Sequence, residues 1–342
     1  MDDDVWRRYF DACDDVTLPN GDVFRTYRAG DSGPHIVLLH GGGYTSMTWC
    51  LVTALLKKYF TIHAIDLRGH GATRTTNDDD LSIGTLVQDV VDVLASVLPP
   101  VDEQADATER PQTVIAGHSL GGAIAVRVAA TERVPSLVGV MVIDVVEGTA
   151  LASLEHMHQI IARRPKSFAS VDEAINWALH SGTVRNSDAA SVSVPSQLMQ
   201  LQNGKLGWRT DLKKSAPFWK DWFIGLSEQF LSLKPAKILV LAGSDRLDTA
   251  LMRGQMMGKF ELRLLYGSGH CIQEDCPDQL AKALVEFCGR CARTVSCDLA
   301  GLTDVPGGAR AVSNNADLLA QRLARARAML PNGAPRPPQP PA

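Results

Sequence analysis

Gly117-His118-Ser119-Leu120-Gly121 constrains this chain more than any other stretch. An apolar run, Thr113–Ala116, precedes it, and a run of small and apolar residues, Leu120–Ala130, follows. The pentapeptide therefore has to turn a strand sharply into a helix. Glycine at both ends leaves room for a tight backbone where side chains would clash. Such a turn lifts the serine hydroxyl out of a sheet edge and sets the amide of Leu120 at a helix N-terminus, which favours developing negative charge.

The flanking sequence supplies the rest of the sheet. Val16–Tyr27 alternates loosely around Asn20-Gly21, a hairpin signal. Short apolar runs then alternate with helical patterns. His35–Leu39, Thr61–Ile65, Thr113–Ala116, Val138–Ile143, Ile238–Leu241 and Leu262–Leu265 read as strands. Trp49–Lys58, Ser82–Leu98, Leu120–Ala130 and Asp278–Cys288 read as helices. This order predicts an α/β fold with a mostly parallel central sheet and helices on both faces.

The rhythm breaks at residue 148. Residues 148–232 carry helical patterns and an aromatic cluster of Trp208, Phe218, Trp219, Trp222 and Phe223, and are read as an inserted cap. Most of these aromatics are expected to join cap to core, because large aromatics carry much of core packing. The core is thus divided into 1–147 and 233–290. Residues 291–342 end in a Pro-rich run, Pro335–Pro341, and are expected to be a disordered extension, with one short amphipathic helix around Leu319–Leu330 as an option.

Composition excludes several classes. With 342 residues and 45% hydrophobic content, the chain can build one large core or a core with an insertion. The 34 Lys and Arg against 38 Asp and Glu leave no basic surplus for a nucleic acid. No apolar run approaches the roughly 20 residues that span a bilayer, so no membrane association is expected. The acidic start, Met1-Asp2-Asp3-Asp4, does not read as a secretory signal. Seven scattered cysteines read as reduced cytosolic thiols. Cys288 and Cys291 form a lone CxxC with only Cys297 nearby, too little for a zinc site, and no metal or organic cofactor is expected. The expected location is cytoplasmic, with the nucleus also open, and the expected state is monomeric.

Ser119 is the expected nucleophile, and a serine hydroxyl needs a base. His270, in Gly267-Ser268-Gly269-His270 after the last strand, fits the chain order of this chemistry. His70 is its rival and reads as a structural turn residue. His118 is expected to point elsewhere, and His156 and His158 to lie on the surface. His40-Gly41-Gly42-Gly43 supplies the second oxyanion donor, the amide of Gly42, beside that of Leu120. The acid has three candidates, Asp144, Asp245 and the weaker Asp248; spacing alone favours Asp245.

The chain resembles the protein phosphatase methylesterases, an α/β-hydrolase family. The resemblance covers roughly residues 5–288 and rests on Leu38–Gly43, Gly117–Val126, Val134–Leu137, Arg164–Phe168, Trp208-Arg209, Trp219–Phe223, Leu241–Asp248 and Gly258–Phe260. The run Ile143-Asp144-Val145-Val146-Glu147-Gly148-Thr149-Ala150 is its most specific part. The resemblance implies Asp144 as the acid. It implies demethylation of the C-terminal leucine ester of the protein phosphatase 2A catalytic subunit, without cofactor. Gly43, Trp208, Arg209 and Trp222 are candidate substrate contacts. Two other readings stay open, a small-molecule carboxylesterase of the same fold and a phosphatase-binding inhibitor. The sequence departs from the animal members in having only Ser196–Gly207 where they carry a long cap insertion, and in its tail after Arg290.

Overall fold

The computed structural model describes residues 4–100, 110–243 and 247–292. Asp245, Cys297 and the extension from residue 293 onward lie outside the described residues. Among the described residues ten strands form: β1 (Ala12–Thr17), β2 (Val23–Ala29), β3 (His35–Leu39), β4 (Thr61–Ile65), β5 (Thr113–His118), β6 (Leu137–Ile143), β7 (Leu198–Gln200), β8 (Leu206–Trp208), β9 (Ala236–Leu241) and β10 (Glu261–Leu264). Eight of them make one sheet in the order β1-β2-β4-β3-β5-β6-β9-β10. The pairings β1–β2 and β2–β4 are antiparallel, and all others in this sheet are parallel. The Asn20-Gly21 hairpin joins β1 to β2, with Gly21 at φ 87°.

Local sequence explains the layers. Every residue of β4 and β5 is buried, as expected of parallel strands covered on both faces. The two faces can be traced on β6. Gly139 meets the ring of Phe287, on the helix Pro277–Cys291, while Val142 packs against Gly122, on the helix Leu120–Ala130. Positions three apart on a strand point to opposite sides, so these helices cover opposite faces. The helix Ile83–Val97 buries Leu86, Val90, Val91, Val93 and Leu94 beside Leu120–Ala130, whose alanines and glycines permit close approach. The helix Cys50–Leu56 packs with Pro277–Cys291 on the other face.

Between β6 and β9 lie six helices: Glu147–Ala152, Leu154–Arg163, Val171–Ser181, Ser187–Ser196, Trp219–Phe223 and Leu226–Ser232. Sequence reading placed only helical patterns here. The antiparallel pair β7–β8 escaped it, because strands of three residues are too short to show alternation. This segment divides its aromatics between two cores. Trp219, Trp222 and Phe223 join the main core. Phe168, Trp177 and Trp208 meet one another at centroid distances of 5.3–6.0 Å around a smaller one.

Candidate active site

Ser119 follows β5 without a break, at φ 53° and ψ −119°. An L-residue rarely adopts such a conformation, at a cost of order 1–3 kcal/mol, and holds it only where the surroundings enforce it. Here the Ser119 amide donates to the Ile143 carbonyl at 2.9 Å, one step beyond the β5–β6 ladder. A Cβ on Gly117 would stand 2.1 Å from the Gly121 carbonyl oxygen, and one on Gly121 would stand 2.3 Å from that of Leu39. Both glycines are therefore obligatory.

Asp144 repeats the device one strand over. It ends β6 at φ 51°, and its amide donates to the Val240 carbonyl of β9 at 2.8 Å. Because β6 lies next to β5, this turn puts the carboxylate beside the serine turn. One oxygen accepts from the Ala242 amide at 3.1 Å, and the other pairs with Nδ1 of His270 at 2.8 Å. The Asp144 side chain is 0% exposed and that of His270 is 47% exposed. With Nδ1–H donated to a carboxylate, Nε2 of His270 is left as the proton acceptor. Asp248 does other work. It caps the helix Thr249–Met256 through the Leu251 amide and accepts from the Ser227 hydroxyl at 2.6 Å.

The loop bearing His270 is tied down at several points. The Gly269 amide donates to Asp275 at 2.6 Å, and Arg185 donates to the Gly267 carbonyl at 2.9 Å. His118, expected to point elsewhere, reaches beneath this loop. Its Nε2–H donates to the backbone carbonyl of His270 at 2.8 Å, and the rings lie 4.6 Å apart. The Gln273 amide faces Nδ1 of His118 at 3.3 Å. Burial holds His118 down to about 3, so it stays neutral, as both bonds require. No local sequence signal marks this contact across 152 positions.

The glycine loop after β3 is fixed from below by two further histidines. Nε2 of His70 accepts from the Gly43 amide at 2.8 Å, while its Nδ1–H is bonded to the Arg68 carbonyl. Nε2 of His40 accepts from the Leu67 amide at 3.0 Å, while its Nδ1–H is bonded to the Gly41 carbonyl. Burial lowers His40 to about 4 and His70 to about 3, keeping both neutral acceptors. Gly43 sits at φ 81°, where a Cβ would also press to 3.0 Å on Leu212, so glycine is required. Among the described residues neither the Gly42 nor the Leu120 amide has a protein acceptor.

Ser119, Asp144, His270, Gly42, Gly43, Leu120, Trp208 and Trp222 line one cavity of about 640 Å³. The indole N–H groups of Trp208 and Trp222 are bonded to the Pro165 and Leu81 carbonyls, so only their rings are offered to the cavity. Arg209 does not belong with them. It lines a second cavity of about 430 Å³ with Trp6, Arg25, Tyr27 and Asp66. Adjacent positions on an extended chain point opposite ways, which separates Arg209 from Trp208. Sequence reading overlooked Tyr44, Arg164 and Trp177, which also line the first cavity. Among the described residues no group of three or more His, Cys, Asp and Glu is placed to hold a metal ion, and no helix is long and apolar enough to cross a membrane.

The α/β hydrolase family model matches residues 36–283. Protein phosphatase methylesterase 1 of Mus musculus is 37% identical over 329 residues, covering 82% of this chain and 83% of its own. A probable protein phosphatase methylesterase 1 of Caenorhabditis elegans is 41% identical over 288 residues, covering 83% and 77%. The chain belongs to the protein phosphatase methylesterase family of α/β hydrolases. It is a carboxylic ester hydrolase. The Schizosaccharomyces pombe relative is 38% identical over 296 residues, covering 82% and 84%. Solved structures share the fold at lower identity. E-2-(acetamidomethylene)succinate hydrolase superposes with a TM-score of 0.67 at 19% identity, over 81% of this chain and 99% of that one. An esterase of Mycobacterium tuberculosis does so with 0.62 at 22%, over 81% and 92%.

Proposed function

We propose that this enzyme removes the methyl ester from the C-terminal leucine of the protein phosphatase 2A catalytic subunit, with Ser119 as nucleophile, His270 as base and Asp144 as the orienting acid. The observation that carries this reading is the 2.8 Å pair between His270 Nδ1 and Asp144, in the same cavity as a strained serine turn. The names of the relatives support a protein phosphatase as the substrate. Nε2 of His270 takes the Ser119 proton as Oγ attacks the ester carbonyl. The amides of Leu120 and Gly42 stabilise the oxyanion. Methanol leaves with the proton from His270. Water, deprotonated by His270, then attacks the acyl-enzyme, releasing the carboxylate and restoring Ser119. Residues 148–232 act as a cap whose aromatic wall holds the acyl side.

The test is to add the purified enzyme to C-terminally methylated phosphatase catalytic subunit and follow the methyl group by mass spectrometry. The methyl group is expected to be lost, and Ser119→Ala is expected to slow its loss by roughly 10³ or more. A fluorophosphonate probe is expected to label Ser119. Retention of the methyl group would overturn the substrate, and labelling of another serine would overturn the nucleophile. Equal efficiency on the folded subunit and on a short peptide ester of the same C-terminus would favour a general small-ester hydrolase.

A further inference from the structure

The cavity holds a cation that pairs with no carboxylate among the described residues. Apart from Asp144 and His270, the charged side chains lining it are Arg163 and Arg164. Arg163 is exposed at the end of its helix. Arg164 is partly buried, its guanidinium carbon 3.8 Å from the centroid of the Trp208 ring. That ring is immobilised by its bond to the Pro165 carbonyl and by edge contacts with Phe168 and Trp177. Stacking on an aromatic face fixes the guanidinium plane and leaves the in-plane N–H donors unspent. Among the described residues no carboxylate pairs with Arg164. Arg68, by contrast, is buried against both Asp22 and Asp89. Burial lowers the proton affinity of Arg164, as expected of a cation partly stripped of water.

The chemistry of the ester decides which part of a substrate can meet this group. If the leaving alcohol is methanol, as proposed above, nearly all of a 640 Å³ cavity serves the acyl side. The acyl side is then the peptide that ends in the ester. We propose that Arg164, stacked on Trp208, is a specificity-determining residue that binds an acidic side chain a few residues upstream of the C-terminal methyl ester. A carboxylate there would form a bidentate, charge-assisted pair in a partly dry site, where such bonds are strong.

The inference rests on the ester-at-chain-end reading, and the test separates the two. Acetylated pentapeptide methyl esters are compared in pairs that differ only by Asp against Asn at the second, third or fourth position from the ester. The wild type is expected to prefer Asp at one position by roughly 10- to 100-fold in kcat/KM, mostly through KM, as a charge-assisted hydrogen bond allows. In Arg164→Gln the preference is expected to fall to about one. Arg164→Lys, which keeps the charge without the planar fork, is expected to retain an intermediate preference and guards against misfolding of the first variant. Absence of any acidic preference in the wild type, or its survival in Arg164→Gln, would overturn the subsite. Methylated phosphatase is assayed alongside. If it is demethylated while Asp and Asn esters react alike, only the subsite fails. If it is left intact while the Arg164-dependent preference is found, the subsite stands and the proposed substrate fails.

Discussion

His118 donates from Nε2 to the backbone carbonyl of His270 at 2.8 Å, so the residue before Ser119 holds the loop that carries the proposed base. The two are also in ring contact. In His118→Leu the carbonyl loses its donor and the loop loses its anchor. The expected result is a fall in kcat of roughly 100-fold, the scale of a misplacement of about 1 Å, with KM for a small ester little changed. His118→Gln places an amide donor near the position of Nε2 and is expected to recover most of the loss. Equal losses in the two variants would reduce His118 to core packing.

The Asp144–His270 pair predicts a tautomer effect. In Asp144→Asn the amide carbonyl keeps the bond from the Ala242 amide, and the NH2 group is turned toward Nδ1 of His270. Nδ1 then has to accept, which moves the ring proton to Nε2 and removes the group that takes the Ser119 proton. Turnover is expected to fall by about 10⁴ with the fold intact. The measurement is kcat alongside the near-ultraviolet circular dichroism spectrum. A loss below about tenfold would mean that the acid lies elsewhere.

Much of this architecture was legible because it is local. Apolar runs of strand length, the helical period of residues 83–97 and the glycines around Ser119 each declare themselves within about fifteen residues. Strand order is not written that way. Spacing alone pointed to Asp245, and only the adjacency of β5 and β6 brings the end of the latter beside Ser119. The role of His70 was half legible. It read as a turn residue, but its bond to Gly43 needs β3 and β4 to be neighbours. Arg209 and Trp208 are adjacent in sequence yet line different cavities, a separation set by the direction of one short strand.

The turn bearing His70 hangs on a buried ion network. Arg68 makes two bonds of 2.7 Å to Asp89 and one of 2.8 Å to Asp22, and a fourth to the Asn77 carbonyl. Arg68→Met leaves two buried carboxylates without their cation, which costs about 3–5 kcal/mol. A drop of that size in unfolding free energy is expected from urea titration. Adding Asp22→Asn and Asp89→Asn to the same chain is expected to restore part of it, because the residual cost is uncompensated charge rather than lost shape. Failure of the triple variant to improve on Arg68→Met would locate the cost in packing.

Stability should respond to pH through groups of opposite sign. Burial holds His40 and His63 at about 4, and His70 and His118 at about 3. Below the unfolded value of about 6.5 the unfolded chain binds protons that the folded one refuses. Their contribution is therefore present above about 6.5 and lost as pH falls toward 4. Each histidine acts with a slope of about 1.4 kcal/mol per pH unit, so four together consume an ordinary stability of 5–15 kcal/mol within two or three units. Glu274 runs the other way. Buried, and accepting from Thr48 at 2.5 Å and Ser193 at 3.0 Å, it is raised from 4.5 to about 7. A carboxyl group raised in the folded state stabilises fully below the unfolded value and loses that contribution as pH rises through about 7. The four buried histidines all titrate from about 6.5 downward in the unfolded chain, so the wild-type urea midpoint is expected to fall between pH 7.5 and 5.5. Burial also raises Asp66, Asp89, Asp275 and Asp278, and Glu274→Gln isolates one of the opposing groups. The unfolding free energy of the variant minus that of the wild type is expected to climb by about 1 kcal/mol per unit from pH 5 to 7 and to level off above about 7.5. A flat or falling difference over that window would mean that Glu274 is already ionised at pH 5, and that the Thr48 and Ser193 hydroxyls stabilise a carboxylate.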